Sequence, residues 1–232
     1  MKLSIIIPVY NEKNTVFKVL ERVESVALPG IGKEIILIDD GSTDGTREVL
    51  KSLPDNKYKV ILKEKNEGKG SAVKLGFQLA AGDILIIQDA DLEYNPEDYP
   101  SMIQAIVEKK ADVVFGSRFI GDKPHRVLYF GHYLGNRFLT TLSNIFTNLN
   151  LSDMEAGYKA FSRKAIDLIK DRITARRFSI EPELASLVSK NNLRVYEAGI
   201  YYDGRTYNEG KKINWKDGAA AIYYIIKYGL FK

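Results

Sequence analysis

Short apolar runs alternate with segments of helical periodicity through the first 90 residues of the chain. Four of these runs, rich in isoleucine, leucine and valine, have the length of buried strands. They occupy residues 3–8, 34–38, 59–62 and 84–87. Between the runs, apolar residues recur at helical spacing, as Val16, Val19 and Val23 do. This alternation predicts an α/β fold, with a mostly parallel sheet, right-handed crossovers and flanking helices.

The second half of the chain is less regular, although its pattern still mixes strands and helices. The predicted strands are residues 113–115, 158–161 and 194–201. The predicted helices are residues 99–107, 135–149, 165–169, 181–188 and 217–231. The last helix is apolar and rich in tyrosine, and it follows a densely charged loop, so we interpret it as an extension appended to the α/β core.

An acidic run follows the fourth apolar segment and contains Asp89, Asp91 and Glu93. Residues two apart in an extended segment point the same way, so we expect Asp89 and Asp91 to face one spot. Neighbouring carboxylates repel each other unless a cation neutralises them, and oxygen ligands favour Mg²⁺ or Mn²⁺. The run therefore predicts a metal site, although an isolated pair of this kind is more often a polar loop.

Polar residues also follow the first two predicted strands. Tyr10 and Glu12 come after the first strand, and Asp39 and Asp40 close the second. The carboxyl ends of parallel strands meet at one edge of a sheet, where open α/β folds bind their ligands. We therefore expect these side chains and the acidic run to converge on one rim that binds a nucleotide. The loop at residues 66–71 lacks the spacing of a phosphate-binding loop, so we interpret it as a turn and helix start.

The amino-acid composition narrows the classes of protein to which this chain can belong. The 232 residues, 45% of them hydrophobic, suffice for one substantial core. A net charge of +4, from 34 basic and 30 acidic residues, is no nucleic-acid signature, and we expect no nucleic-acid partner. The chain has no cysteine, which excludes thiol chemistry. We find no signal-peptide pattern and no apolar run of the roughly 20 residues that span a bilayer, so the expected compartment is the cytoplasm.

Three motifs resemble those of family 2 glycosyltransferases of GT-A fold. They are Ile-Ile-Pro-Val-Tyr-Asn-Glu at 6–12, Asp-Asp-Gly-Ser-Thr-Asp-Gly-Thr at 39–46 and Asp-Ala-Asp at 89–91. A further set is similar to the dolichyl-phosphate mannose and glucose synthase branch of that family. It comprises Asp-Ala-Asp-Leu-Glu-Tyr (89–94), Gly-Ser-Arg (116–118), Gly-Asn (135–136), Asp-Met-Glu-Ala-Gly-Tyr-Lys (153–159), Glu-Pro-Glu (181–183) and Gly-Arg-Thr-Tyr-Asn-Glu-Gly-Lys-Lys-Ile (204–213). Each motif alone is weak, but their order and spacing over nearly the whole chain are specific.

The resemblance implies a Rossmann-like GT-A catalytic domain at residues 1–213. Its nucleotide-sugar-binding half would be 1–118 and its acceptor half 119–213, followed by a C-terminal amphipathic helix at 214–232. The implied reaction is the inverting, metal-dependent transfer of a hexose from a nucleotide sugar, of the GDP-mannose or UDP-glucose type, to a polyprenyl or dolichyl phosphate.

The same resemblance implies roles for individual positions. The nucleotide sugar would contact Pro8, Tyr10, Glu12, Asp39 or Asp40, Asp89, Ala90, Asp91, Arg118, Arg205 and Lys211. The metal ligands would be Asp89, Asp91 and Glu93. The implied catalytic residues are Asp91, Arg118, Arg205 and Lys211. Lys211 would assist the leaving diphosphate or the acceptor.

The nucleophile separates the candidate acceptors on chemical grounds. A sugar hydroxyl needs a general base, whereas a lipid phosphomonoester, with a second pKa of about 6, is already ionised at neutral pH. An ionised phosphate needs positive charge to position it, and arginine suits this task. The candidate arginines are Arg118, Arg126, Arg137 and Arg205. Asp153 and Glu155 are candidate bases, so a hydroxyl acceptor on a glycan, a protein or a small molecule stays open.

Other classes fit the pattern less well. Nucleotidyltransferases and nicotinamide oxidoreductases are expected to carry a glycine-rich loop after the first strand, and residues 8–12 contain no glycine. A nucleotide-sugar binding module without turnover is a further alternative, which the intact set of acidic and arginine residues disfavours.

The C-terminal tail is too short to span a bilayer. Its tyrosine and lysine residues suit a helix that lies in a membrane interface, and packing on the core or on a second copy is the alternative. We therefore expect a peripheral position at the cytoplasmic membrane face, or a membrane-anchoring partner.

Overall fold

The computed structural model describes residues 1–127, 129–177, 179–206 and 215–231. In this part of the chain, seven strands form one sheet. They are β1 (Lys2–Val9), β2 (Gly32–Asp39), β3 (Tyr58–Leu62), β4 (Ile84–Ile87), β5 (Val113–Ser117), β6 (Lys159–Ser162) and β7 (Val195–Gly199). The α-helices are α1 (Val16–Ser25), α2 (Thr46–Lys51), α3 (Lys69–Leu79), α4 (Tyr99–Val107), α5 (Phe130–Thr147), α6 (Arg163–Ile169), α7 (Ile180–Lys190) and α8 (Trp215–Phe231). A short 3₁₀ helix at Pro96–Asp98 precedes α4.

The spatial order of the strands is β3-β2-β1-β4-β6-β5-β7. The first four strands along the chain pair in parallel, with β1 between β2 and β4. Among the strands described, β6 alone runs in the opposite direction, since it is antiparallel to both β4 and β5. The prediction of a mostly parallel sheet flanked by helices is confirmed. The chain reverses its winding direction between β1 and β4, which is the position where such sheets bind ligands.

Two hydrophobic clusters cover the two faces of the sheet. Ile5 and Ile7 of β1 belong to the cluster that includes α1 and α4, whereas Ile6 belongs to the cluster that includes α3, α6 and α7. Successive strand residues point to opposite faces, so a strand buried on both faces needs an uninterrupted apolar run. This accounts for the continuous isoleucine and leucine content of β1 and β4.

The structure corrects several predicted boundaries. The helix predicted at residues 135–149 begins at Phe130 and ends at Thr147. Gly131 and His132 are weak helix formers, which hid the first turn of this helix in the sequence pattern. The strand predicted at 194–201 extends only over β7.

Strands from both predicted halves of the catalytic domain share the sheet. The acceptor half contributes β6 and β7, and β6 is inserted between β4 and β5 of the nucleotide-sugar half. None of the described helices combines the length and the apolarity that crossing a membrane requires.

Candidate active site

A cavity of about 890 Å³ opens at the edge of the sheet where the parallel strands end. Most of the residues singled out from the sequence line it. They are Pro8, Tyr10, Glu12, Asp40, Asp89, Ala90, Asp91, Glu93, Arg118 and Arg205. The predicted convergence of strand ends on one rim is therefore correct for all of the rim positions except Asp39.

Asp39 and Asp40 have different surroundings although they are adjacent. The carboxylate of Asp39 is fully buried away from the cavity, accepts the backbone N–H of Ser42 and lies 3.3 Å from Nη1 of Arg47. Asp40 lines the cavity, and its carboxylate accepts hydrogen bonds from Nζ of Lys63 at 2.5 Å and from the N–H of Gly68 at 2.6 Å. Asp40 thereby fixes the loop that leads into α3.

The acidic run forms a turn rather than an extended segment. β4 ends at Ile87, and Leu92 has a φ of 66°, in the left-handed region. The expectation that Asp89 and Asp91 share one side of an extended strand is therefore wrong. Both carboxylates nevertheless line the cavity, as predicted.

Arg205 joins three acidic residues of the cavity. Its Nη2 lies 3.0 Å from Asp91, its Nε 3.2 Å from Glu93 and its Nη1 3.5 Å from Glu12. Burial, together with the nearby Asp89 and Glu93 carboxylates, outweighs Arg205 and raises the pKa of Asp91 to about 7. The cluster thus holds more negative charge than its surroundings neutralise.

Lys69 holds the other aspartate. Its ammonium lies 2.8 Å from Asp89 and 3.1 Å from Glu181. Burial lowers the pKa of Lys69, but the two carboxylates outweigh burial and hold that pKa well above its ordinary value. Within the described residues, no group of three or more histidine, cysteine, aspartate or glutamate side chains is arranged to hold a metal ion, so Glu93 stays a predicted ligand only. Mg²⁺ commonly uses one or two carboxylates and completes its shell with substrate phosphates and water, and Asp89 with Asp91 fits that requirement.

Arg118 is held in place by a buried partner. Its Nε and Nη2 donate to the two carboxylate oxygens of Asp153 at 2.6 and 2.7 Å, in a bidentate pair. Asn136 donates a further hydrogen bond to Asp153 at 3.2 Å, and the Arg118 guanidinium lies 5.0 Å from the centre of the Tyr202 ring. Burial would raise the pKa of Asp153, but Arg118 outweighs it and holds the pKa below its usual range. Asp153 therefore positions Arg118 and is a poor general base.

The remaining predicted arginines lie elsewhere. Arg126 is exposed and donates from Nη1 to the carbonyl of Gly204, and Arg137 is exposed and donates to the hydroxyl of Tyr133. Neither lines the cavity. Lys211 lies outside the described residues, so its role in assisting the leaving group or the acceptor stays a prediction.

Lys69 was missed by the sequence reasoning. The segment at residues 66–71 is a turn followed by the start of α3, as predicted, but it also brings Lys69 to the cavity. The signal was its location: a glycine-flanked lysine at a helix start that follows β3 of the parallel sheet must lie near the ligand-binding edge. His132 is a further residue of the cavity wall that the sequence did not mark as functional.

Glu155 lies in the cavity wall with one oxygen unsatisfied. Its Oε1 is buried and, among the described residues, has no hydrogen-bond partner. Burial raises the pKa of Glu155 to about 7, assisted by the nearby Glu181. The ammonium of Lys159 donates to the carbonyls of Met154 and Ala156. These two residues flank Glu155, so the hydrogen bonds fix the conformation of the loop that carries it.

The sequence matches the model of glycosyl transferase family 2 over residues 4–169. It is 42% identical over 122 residues to the dolichol-phosphate mannosyltransferase of Pyrococcus furiosus, covering 52% of this chain and 34% of that protein. It is 26% identical over 241 residues to the UDP-N-acetylglucosamine–dolichyl-phosphate N-acetylglucosaminyltransferase of Methanococcus voltae, covering 97% and 94%. It is 30% identical over 214 residues to the undecaprenyl-phosphate 4-deoxy-4-formamido-L-arabinose transferase of Proteus mirabilis, covering 90% and 62%. The chain thus spans only about a third of the length of the Pyrococcus protein.

A structural neighbour supports the same fold. Glucosyl-3-phosphoglycerate synthase from Mycobacterium tuberculosis, crystallised with Mn²⁺, UDP and phosphoglyceric acid, superposes with a TM-score of 0.75 at 17% identity, over 100% of this chain and 79% of that one. The match of the family model over most of the chain shows that this protein belongs to glycosyl transferase family 2.

Proposed function

We propose that this protein transfers a hexose from a nucleotide sugar to a polyprenyl phosphate, with inversion at the anomeric carbon and with a divalent cation. The observation that carries the proposal is one cavity in which the Asp89–Asp91 turn and the buried Arg118–Asp153 pair lie at the same edge of the sheet. The first suits a diphosphate with its cation, and the second suits a phosphate acceptor. Relatives named for transfer to dolichyl and undecaprenyl phosphates support the acceptor class.

The donor would lie with its nucleoside near β1 and β2. Pro8, Tyr10 and Asp40 line the cavity together with Ala90, whose backbone would pass close to the ribose. Asp89 and Asp91 would hold Mg²⁺ or Mn²⁺ on the diphosphate, with phosphate oxygens and water as the other ligands. When bound, that cation supplies stabilisation of the negative charge that develops on the leaving group. Arg205 is close enough to the same carboxylates to contact the diphosphate as well.

The acceptor side of the cavity orients the attacking phosphate and does not need to provide a general base. A phosphomonoester is ionised at neutral pH, so its oxygen attacks the anomeric carbon without prior proton removal. Attack from the face opposite the departing diphosphate inverts the configuration of that carbon. Arg118 is suited to orient the attacking phosphate because Asp153 fixes its guanidinium in one geometry.

A hydroxyl acceptor is the second candidate, and one observation favours it. The pKa of Glu155, raised to about 7 by burial and by Glu181, is near the value expected of a general base. In that case Glu155 would remove the proton of an attacking hydroxyl, and no lipid would be required.

The experiment is a transfer assay with radiolabelled GDP- and UDP-sugars, MnCl₂ and a short polyprenyl phosphate. Label should move into the organic phase with one donor, and NMR of the product should show an anomeric configuration opposite to that of the donor. We expect Arg118→Gln to lower the rate about a hundredfold, whereas Arg172→Gln, on the exposed surface, should leave it unchanged. Transfer to a water-soluble hydroxyl compound, with no lipid product, would overturn the acceptor assignment.

A further inference from the structure

The loop at residues 153–157 is placed at the cavity by the reversed direction of β6. After a parallel strand, the segment that follows the strand lies at the ligand-binding edge. β6 is antiparallel, so the segment that precedes it lies at that edge instead. Glu155 therefore reaches the same cavity as Asp89. The approach is close, because a Cβ atom at Gly157 would collide with the carboxylate of Asp89.

The strand order arranges the cavity residues in a row along this edge. Asp40 follows β2, Tyr10 follows β1, Asp89 follows β4, Glu155 precedes β6 and Arg118 follows β5. Neighbouring strands lie about 4.8 Å apart, so each step moves along the cavity by about that distance. With the donor placed as proposed above, the order of groups is nucleoside, diphosphate, sugar and acceptor phosphate. Glu155, which lies between Asp89 and Arg118 in this order, is then next to the transferred sugar.

The condition of Glu155 differs from that of the other buried acids. Asp153 is bound by Arg118 and Asn136, and Glu183 accepts the backbone N–H groups of Thr174 and Ala175. Acids of that kind stabilise the fold. Glu155 lines the cavity with a buried oxygen for which the described residues provide no partner. A buried polar group left unpaired is costly, and sites built to bind a polar ligand group are a common reason for it.

Resting on the proposed function, we propose that Glu155 is a specificity residue that hydrogen-bonds hydroxyl groups of the transferred sugar and selects a neutral hexose over a uronic acid. Glu181 lies on the same wall and adds negative charge there. Sugar hydroxyls are good donors to a carboxylate, whereas the carboxylate of a uronic acid would be repelled by both glutamates. The Lys69 ammonium partly neutralises the Glu181 carboxylate, so most of the repulsion of a uronic acid comes from Glu155.

The test measures donor affinity without acceptor, so that turnover does not enter. Calorimetric titrations with MnCl₂ at pH 8, where Glu155 is mostly ionised, compare the nucleoside diphosphate, its neutral hexose derivative and the corresponding uronic acid derivative. We expect Glu155→Ala to weaken binding of the hexose derivative about tenfold while binding of the diphosphate is unchanged. We expect Glu155→Gln to bind the uronic acid derivative more tightly than the wild type does, a gain that misfolding cannot produce. Glu48→Ala, on the exposed face of α2, is the matched control.

The outcomes separate this proposal from the proposed function. A wild type that binds no nucleotide sugar overturns the proposed function, and this inference with it. A wild type that binds nucleotide sugars, with Glu155 variants that lose affinity for the diphosphate and the hexose derivative equally, overturns the inference alone. Variants with unchanged donor affinities and lower turnover also overturn it, and they would assign Glu155 to the acceptor as a base.

Discussion

At the scale of the residue, the buried carboxyl groups differ in whether they have hydrogen-bond partners. The carboxylates of Asp153 and Glu183 are satisfied by arginine, amide and backbone donors. Glu155 is not satisfied in this way within the described residues, and its charged form is destabilised by burial and by Glu181. A destabilising group at a cavity wall is the pattern expected where function competes with stability.

The pH dependence of unfolding should report this group. The pKa of Glu155 is raised from 4.5 to about 7, so the folded protein binds its proton more tightly than the unfolded chain does. Its stabilising contribution is complete below pH 4.5 and is lost as the pH rises through about 7, a difference of about 3 kcal/mol. Glu155→Gln lacks this titration. In urea unfolding, the variant should therefore gain stability relative to the wild type between pH 5 and 8.

The comparison isolates Glu155 because both proteins share its charged neighbours. These are Glu181, Lys159, Arg118 and Asp153. A stability difference between variant and wild type that stays constant from pH 5 to 8 would contradict the raised pKa.

At the scale of the element, α5 and α8 pack against each other beside the cavity and expose apolar side chains. Phe130 and Phe138 of α5 are 71% and 56% exposed, and Tyr223 and Leu230 of α8 are 61% and 60% exposed. α5 also lines the cavity, through Gly131, Gly135 and Leu139. An apolar surface on two helices that also line the cavity suits a peripheral contact with the bilayer that would hold a polyprenyl phosphate, and we extend the proposed function to that contact.

Vesicle binding tests this contact. We expect Phe138→Ser to weaken binding to phosphatidylglycerol vesicles by about tenfold, because inserting a phenylalanine side chain into the acyl region contributes about 1.5–3 kcal/mol. The control is Phe17→Ser on α1, a phenylalanine that is 47% exposed on the other face of the sheet. Sedimentation with vesicles gives both affinities. Equal losses in the two variants, or a wild type that stays in the supernatant, would contradict the membrane contact.

At the scale of the whole molecule, Arg205 connects the two predicted halves. It follows β7, yet it reaches Asp91 and Glu93 after β4 and Glu12 after β1. A guanidinium with three carboxylates around it provides the positive charge that this acidic cluster requires when no other cation is present. Binding of a divalent cation to the same carboxylates should therefore compete with Arg205.

Removal of Arg205 should strengthen metal binding in the absence of nucleotide. We expect Arg205→Ala to bind Mn²⁺ about tenfold more tightly than the wild type in a calorimetric titration with MnCl₂, because one competing cation is gone. The same variant should transfer sugar more slowly, since a phosphate contact is lost. Asp91→Ala is the opposing variant and should bind Mn²⁺ more weakly than the wild type. Weaker Mn²⁺ binding by Arg205→Ala would show that Arg205 supports the metal position rather than competing for it.

The sequence by itself determined the α/β class, the strands of the first half and most of the cavity residues. These features are local: apolar runs and helical periodicity mark the elements, and parallel strands carry whatever follows them to one edge. Pro8, Tyr10, Asp89 and Asp91 could be placed on that basis alone. The start of the helix near Gly131 could not, because the weak helix propensity of glycine gives no signal of a helix start there.

Only the tertiary structure decided the direction of β6 and the partners of the charged residues. Strand direction depends on pairing between segments far apart in the chain, for which the four residues of β6, Lys-Ala-Phe-Ser, carry no signal. The reversal of β6 is what brings Glu155 to the cavity, and the packing around it leaves its Oε1 without a partner among the described residues. The pairs of Lys69 with Asp89 and of Arg118 with Asp153 likewise join residues 20 and 35 positions apart. Such contacts follow from the three-dimensional arrangement of loops, because spacing along the chain does not encode which loops meet.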